Sequence, residues 1–306
     1  MKYLTELLEK YQVRRSNAQK AAFLSYVQNA CKEMGYESKI EEHTGMMKSK
    51  NLIAGDPDKA QAIFTAHYDT CAEMPVPNLI FPKNMLLTLL VQMPLILILL
   101  ALSLAVGLGL WHVTGQELMY SIGFFIIYFG GFSMIMFGPA NKHTANDNTS
   151  GVAALLEIMG RLSQEEREKA AFIFFDNEEY GKIGSKQYAK AHPDIRKEKM
   201  LINLDCIGDG EHFLIVAPRK KDEALEQLLQ EAFQSENEIQ AIHCSAKNTH
   251  YHSDQEAYHR GAAIAACRKN KLGYHVPRIH TRRDIVCQES NLEYVCQGAV
   301  NIINHL

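Results

Sequence analysis

Disulfide chemistry is the first thing this 306-residue chain lacks the pattern for. Its seven cysteines, Cys31, Cys71, Cys206, Cys244, Cys267, Cys287 and Cys296, are odd in number, scattered, and contain no CxxC pair. That excludes a secreted disulfide framework and suits a reducing compartment. The opening residues, Met1 to Glu6, carry no apolar h-region, so no cleavable signal peptide is expected. Excess charge is missing as well: the net charge is −3, and nothing global points to nucleic acid as a partner. No internal repeat and no low-complexity tract is present. The most local deficit is of charge within one segment. Between Asn84 and Gly138 the sole formally charged residue is Glu117, although 22% of the whole chain is charged.

Outside that segment the sequence reads as an ordinary soluble α/β protein. Leu4, Leu7, Leu8 and Tyr11 recur at helical spacing, and Ser16 is placed to cap a second helix through Phe23, Leu24 and Val27, ending near Gly35. Short β-type segments follow at Ser38 to Glu42 and around Asn51 to Ala54. Ala60 to Ala66 is a compact apolar strand, and Ala170 to Phe175 is an unbroken apolar run of the kind buried on both faces of a sheet. Met200 to Asp205, Phe213 to Val216 and Ala262 to Ala266 repeat that form. Helices are expected over Gly151 to Leu162, Asp222 to Ser235 and Asn291 to Ile303. Alternation of this kind predicts an α/β fold with a mostly parallel central sheet flanked by helices.

Chemistry-bearing residues gather where the buried strands end. His67 and Asp69 follow one strand, Glu178 and Glu179 another, and Asp205 ends a third. Carboxyl ends of strands line the ligand crevice in open parallel sheets. Asp147, just before a helix, and His280 complete the candidate set. A single Asp or Glu in such a place is ordinarily a solvated loop residue or a helix cap, and Asp147 has Asn148, Thr149 and Ser150 beside it as competing caps. Five coincidences at strand ends argue for a site. Imidazole and carboxylate ligands without thiolate suit zinc. Two His and three carboxylates are a fitting set for two zinc ions sharing one bridging carboxylate, and the Glu178-Glu179 pair could supply one ligand and one base.

Five segments, His67-Tyr68-Asp69, Asn146 to Gly151, Asp176 to Gly181, Asn203 to Gly208 and His280 to Asp284, resemble in order the motifs of the co-catalytic zinc exopeptidases of clan MH. These include aminopeptidase S, aminopeptidase Y and the glutaminyl cyclases. Gly184-Ser185 fits the same pattern. The resemblance implies two Zn2+ ions and a peptide substrate. Asp147 would bridge the metals, His67 and Asp205 would complete one site, and Glu179 and His280 the other. Glu178 would be the general base that deprotonates the bridging water. Asp69 would accept the second ring N–H of His67. Ser253-Asp254 matches a pocket motif that continues with His in the family, where Gln255 stands here, and Ile279 replaces the family's usual Tyr. The alternatives are a single-zinc glutaminyl cyclase-like transferase and a non-catalytic receptor or scaffold on the same fold. His243, His250, His252 and His259 read as a polar loop near the pocket rather than a third metal site, and Cys71 and Cys206 as free thiols.

His67 and Asp147 lie 80 positions apart, where the family pattern has a short loop. The excess holds two uncharged apolar stretches, residues 85–110 and 118–137, each long enough for a bilayer core of ~30 Å. Joined by a short turn at Trp111 to Glu117, they predict a transmembrane helical hairpin over residues 84–138, inserted in a discontinuous catalytic domain of residues 1–70 and 139–306. A buried core pair or an apolar dimerisation arm is the competing reading. Ala101, Ala105 and Gly109 form a small-residue stripe suited to close helix approach, and Pro94 is placed to kink the first span. Lys83 and Lys142 flank the spans, and the turn lacks Lys and Arg. The expectation is therefore a two-span cell-membrane protein in contact with lipid, its catalytic domain facing the cytoplasm. Oligomeric state is not legible.

Overall fold

The computed structural model describes residues 1–45 and 47–306. Helices α1 (Lys2–Lys10) and α2 (Asn17–Glu33) open the chain, the second under a reciprocal cap between Ser16 and Gln19. Strands β1 (Ser38–His43), β2 (Ser49–Ala54) and β3 (Ala62–His67) follow, and then the apolar helices α3 (Met85–Thr114) and α4 (Glu117–Phe137). Beyond them come α5 (Gly151–Arg161), α6 (Gln164–Lys169), β4 (Ala170–Phe175), α7 (Ile183–Ala191), α8 (Pro193–Glu198) and β5 (Met200–Leu204). The chain closes with β6 (His212–Ala217), α9 (Glu223–Ala232), β7 (Gln240–Ser245), β8 (Gly261–Asn270), β9 (Gly273–His275) and α10 (Glu289–Asn304).

The strands form one sheet in the order β1-β2-β4-β3-β5-β8-β6-β7, with β9 on β8. Its centre, β4-β3-β5-β8, is parallel, while β1, β2, β6 and β9 run antiparallel to their inner neighbours and β7 pairs parallel with β6. The parallel character thus holds where both faces are covered, and the margins are mixed. Alternate residues of β3 show the layering. Phe64 packs with Phe172, Leu155 and Ile302 on the face covered by α2, α5 and α10. Ile63 packs with Ile173, Tyr188 and Ile195 under α7 and α8.

The apolar insertion stands apart from this core. Both helices are long and apolar enough to cross a membrane, with mean hydropathies of 2.6 and 1.7, and only 6% of each apolar window is buried. The connection is tighter than expected: α3 continues to Thr114, and the turn is Gly115-Gln116, with Gly115 at φ +69°. The small-residue stripe is also corrected. Ala101, Ala105 and Gly109 are exposed, and the buried positions are Ser103 and Gly107. A Cβ on Gly107 would come within 3.0 Å of Tyr120, and one on Gly123 within 3.4 Å of Gly107 Cα. Helix spacing alone offers several such stripes; the partner helix selects one.

The segment between β3 and α3 belongs to the body. Ala72 bridges to Ala140 and Ile80 to Val276, and Met74 N donates to the His280 carbonyl at 2.7 Å.

Candidate active site

β3, β4 and β5 lie side by side in parallel register, so the residues that leave their carboxyl ends converge. His67 is the last residue of β3. Its Nε2 lies 3.3 Å from Asp147 Oδ1 and 3.7 Å from Asp205 Oδ1. The other oxygen of Asp147 lies 3.0 Å from His280 Nε2, which is also 3.2 Å from Glu179 Oε2. Asp147 therefore stands between two histidines, each with one further carboxylate. Donor atoms of His67, Asp147 and Asp205 fall within 4.8 Å of one another, as do those of Glu179, His280 and Cys71. All five expected ligands are brought together, and Glu178 lines the same cavity. Cys71, read from sequence only as a free thiol, borders the second group.

Asp69 takes a different position from the one expected. Its carboxylate is 3.6 Å from His67 Nδ1, beyond hydrogen-bonding distance, and the nearer partner of that nitrogen is the Asp69 carbonyl at 3.2 Å. The carboxylate instead accepts the main-chain N–H groups of Glu178 and Glu179 at 2.9 and 3.2 Å. It orients the glutamate pair, and its main chain orients the imidazole.

A polar scaffold fixes the remaining loops. Asn146 Oδ1 accepts the N–H groups of Gly208 and Asp209, Asn148 Nδ2 donates to the Leu204 carbonyl, and Ser150 Oγ accepts from Ile207 N. These contacts tie the Asp147 segment to the end of β5. Gly151 is required there, because a Cβ would sit 2.4 Å from the Leu204 carbonyl. Asp284 accepts from Asn146 N and Asp147 N at 2.7 and 3.0 Å, joining the His280 loop to the same segment. Arg14, which sequence reasoning passed over, is fully buried. It donates to the Tyr68 carbonyl and to Thr149 Oγ1, and so links the loops that carry His67 and Asp147. No local pattern marks an arginine between two helices for this task.

Electrostatics follow from crowding. Asp69, Asp147, Asp205, Asp254 and Asp284 are all buried. Burial pushes the Glu178 carboxyl well up, reinforced by Asp254, Asp205 and Glu179 and opposed by His67. Burial likewise raises Glu179, to about 8, and Asp254, to about 7. Burial would lower His280, but Glu179 and Asp147 raise it to about 9. Burial is similarly outweighed at His67, which Asp147, Asp205 and Asp69 raise well above the usual imidazole range. The cluster calls for positive charge, and protonated histidines are its internal source. Glu179 Oε1 and Asp205 Oδ1 are buried without a hydrogen-bond partner. Orphaned carboxylate oxygens beside imidazole nitrogens, with carboxylate in excess, fit divalent metal ions of the zinc type.

His250 and His252 line the cavity. His243 bonds the Phe233 carbonyl and His252 pairs with Glu256. No group of three donors forms among these histidines in the described residues. Every cysteine is free.

Comparison with known proteins agrees with this geometry. A probable glutamate carboxypeptidase of Arabidopsis thaliana is 30% identical over 107 residues, which is 32% of this chain and only 16% of that protein. A Zn-dependent exopeptidase from Parabacteroides distasonis superposes with a TM-score of 0.62 at 18% identity, covering 99% of this chain and 95% of its own. A Bacteroides thetaiotaomicron glutaminyl cyclase bound to N-acetylhistamine gives 0.62 at 16% identity, covering 100% and 96%. The fold is that of the zinc exopeptidases. The sequence model described as Peptidase family M28 matches residues 130–294, a span that holds Asp147, Glu178, Glu179, Asp205 and His280 and more than half of the chain. With His67 closing the same cluster from β3, this chain belongs to peptidase family M28.

Proposed function

We propose that the chain is a membrane-anchored aminopeptidase that holds two zinc ions and releases N-terminal residues from peptides. The observation carrying this reading is Asp147, whose two oxygens face His67 and His280 at 3.3 and 3.0 Å. One carboxylate would serve two metal sites, completed by His67 with Asp205 and by His280 with Glu179. Zinc, when bound, would supply Lewis acidity to the scissile carbonyl and to an attacking water. Glu178 would take the water's proton and hand it to the departing amine. Burial holds its carboxyl above the usual carboxylate range, the direction that favours keeping a transferred proton. Asp69 would hold Glu178 in position through its main-chain N–H.

The cavity's charge supports the amino-terminal direction. Among the described residues lining it, the one Lys or Arg is Lys182, already paired with Glu256 at 2.5 Å. No unpaired Lys or Arg there is offered to a substrate's terminal carboxylate, whereas clustered carboxylates favour a terminal ammonium. The hairpin of residues 84–138 would anchor a body formed by residues 1–70 and 139–306. Lys83 and Lys142 flank the spans, and this supports a body on the cytoplasmic side.

The test is a panel of fluorogenic aminoacyl amides on detergent-purified protein, with metal analysis. Two zinc per chain, chelator-sensitive turnover and a kcat loss of ~10²–10⁴-fold in Glu178→Gln at unchanged metal content are expected. Full activity in metal-replete Glu178→Gln would reject the base assignment. One zinc per chain with cyclisation of N-terminal glutamine would support the glutaminyl cyclase reading instead.

A further inference from the structure

We infer that the first two turns of α3 form a wall of the substrate subsite, and that this wall selects peptides with a long apolar first residue lying in the bilayer interface. The inference rests on the aminopeptidase and membrane readings above and adds the substrate class. The starting observation is the helix register. Gly107 lies against Gly123, and Leu99, eight residues back on α3, lies against Gly131, eight residues on along α4. Six further steps each way bring Phe137, the last residue of α4, level with Met93. Residues Met85 to Gln92 therefore project past the end of the paired hairpin by about 12 Å at 1.5 Å per residue.

All the α3 residues that line the cavity, Met85, Thr88, Leu89 and Gln92, come from this overhang. They complete a chamber of about 470 Å³ that also contains His67, Asp147, Glu178, Glu179, Asp205 and His280. That volume lies within the ~300–1,000 Å³ of typical ligand pockets. Its apolar side is made by Met85 and Leu89 together with Ile80, Val276 and Ile279. Met85 and Leu89 are also 46% and 51% exposed, so each shows surface both inward and outward. The outward surface begins where the lipid-facing helix pair ends.

The overhang is held in register with the catalytic cluster. Gln92 Nε2 lies 3.5 Å from Asn78 Oδ1, and Asn78 Nδ2 lies 3.4 Å from His280 Nδ1. At the other end of the hairpin, Phe137 stacks on Tyr180 with ring centroids 5.7 Å apart, and Arg15 donates to the Met136 carbonyl at 2.8 Å. Both feet of the insertion thus rest on motif segments. An apolar side chain entering from the interface meets Met85 and Leu89 before it meets the carboxylates. An acidic first residue meets the same two side chains and loses hydration, while the one lysine lining the cavity, Lys182, is already paired with Glu256.

The decisive measurement uses the full chain in lipid nanodiscs, comparing leucyl and alanyl fluorogenic amides. In M85Q/L89Q the leucyl-to-alanyl ratio of kcat/KM should fall by roughly tenfold, the scale on which an apolar pocket discriminates. An unchanged ratio overturns the wall as a selector. If the unsubstituted protein turns over neither amide, the aminopeptidase reading fails, and a second arm still judges the wall. The chain's one tryptophan is Trp111, so Leu89→Trp in a Trp111→Phe background gives a single reporter. In vesicles of dibrominated phosphatidylcholine its emission should be quenched relative to ordinary phosphatidylcholine. A lipid-anchored peptide with a reduced first peptide bond and leucine first should shift that emission, and the aspartate-first version should not. Absence of quenching, or equal shifts by both peptides, overturns the inference.

Discussion

The peptidase body and the hairpin use similar residues under opposite rules. In β4 every side chain of Ala170–Phe175 is buried, whereas Phe125, Phe129 and Phe137 of α4 are 52%, 60% and 60% exposed. In the body, polar groups are the ones brought inside, and they satisfy one another across distant loops. Beyond the overhang, hydroxyls of the hairpin turn back on their own helix: Ser103 Oγ donates to Leu99 O at 2.7 Å and Thr114 Oγ1 to Leu110 O at 2.6 Å. If the hairpin lies in hydrocarbon, as proposed, apolar burial gives its helices no reason to associate, and close backbone packing at Gly107 and Gly123 would take over. The same contrast explains where chemistry can sit. Only the body can hold uncompensated carboxylates, because only there do many loops meet.

The comparison can be broken most severely at Asp147. If Asp147 bridges two zinc ions and the hairpin is membrane-embedded, as proposed, Asp147→Ala should lose both ions and all measurable turnover, with an affinity loss beyond the ~10–100-fold that follows from removing an outer hydrogen-bond partner, while the hairpin still inserts. Elemental analysis finding two zinc per chain in this variant would move the bridge to another residue. Next in size is Lys20, buried with Nζ 2.6 Å from both Asp176 and Asn177. Lys20→Met should destabilise the body by ~3–5 kcal/mol by stranding a buried carboxylate, and adding Asp176→Asn should recover part of it. Chemical denaturation curves that coincide with those of the unsubstituted protein would show the pair to be idle. The smallest effect is expected in the hairpin. Gly107→Leu collides with Tyr120 and should cost ~1–3 kcal/mol of helix pairing, leaving zinc content and the body's unfolding midpoint unchanged. A body midpoint that fell in step would show that the two regions do not respond independently.

Much of the body was legible because its strands carry two local signals at once. Ala170–Phe175 is an apolar run that stops at an acid, and Met200–Leu204 has the same form with Asp205 after it. Strand β7 carries neither: Gln240–Ser245 is half exposed at the sheet margin, so no period marks it. Helices α7 and α8 were passed over for a related reason, since Tyr188, Ala189 and Ile195 are their large or apolar buried contacts amid lysines and other polar residues. The candidate cluster was readable from residue type and order. Its supports were not, because Arg14 and the turned Asp69 carboxylate act on atoms supplied by loops remote in sequence. The hairpin's existence was plain from missing charge. Its packing face was not, since one helix cannot say which of its small residues the other will meet.

The place of β3 in the sheet bears on how the protein is made. β3 ends in His67 and lies between β4 and β5, yet both neighbours are encoded after the hairpin. A ribosome adding ~5–20 residues per second releases His67 well before either flanking strand exists. If the hairpin enters the bilayer as it emerges, the first three strands wait at the membrane surface with β3 unpaired on both edges. The candidate ligands then come together only when the chain beyond the hairpin, a little more than half of its 306 residues, arrives, so in that case membrane insertion precedes assembly of the catalytic centre.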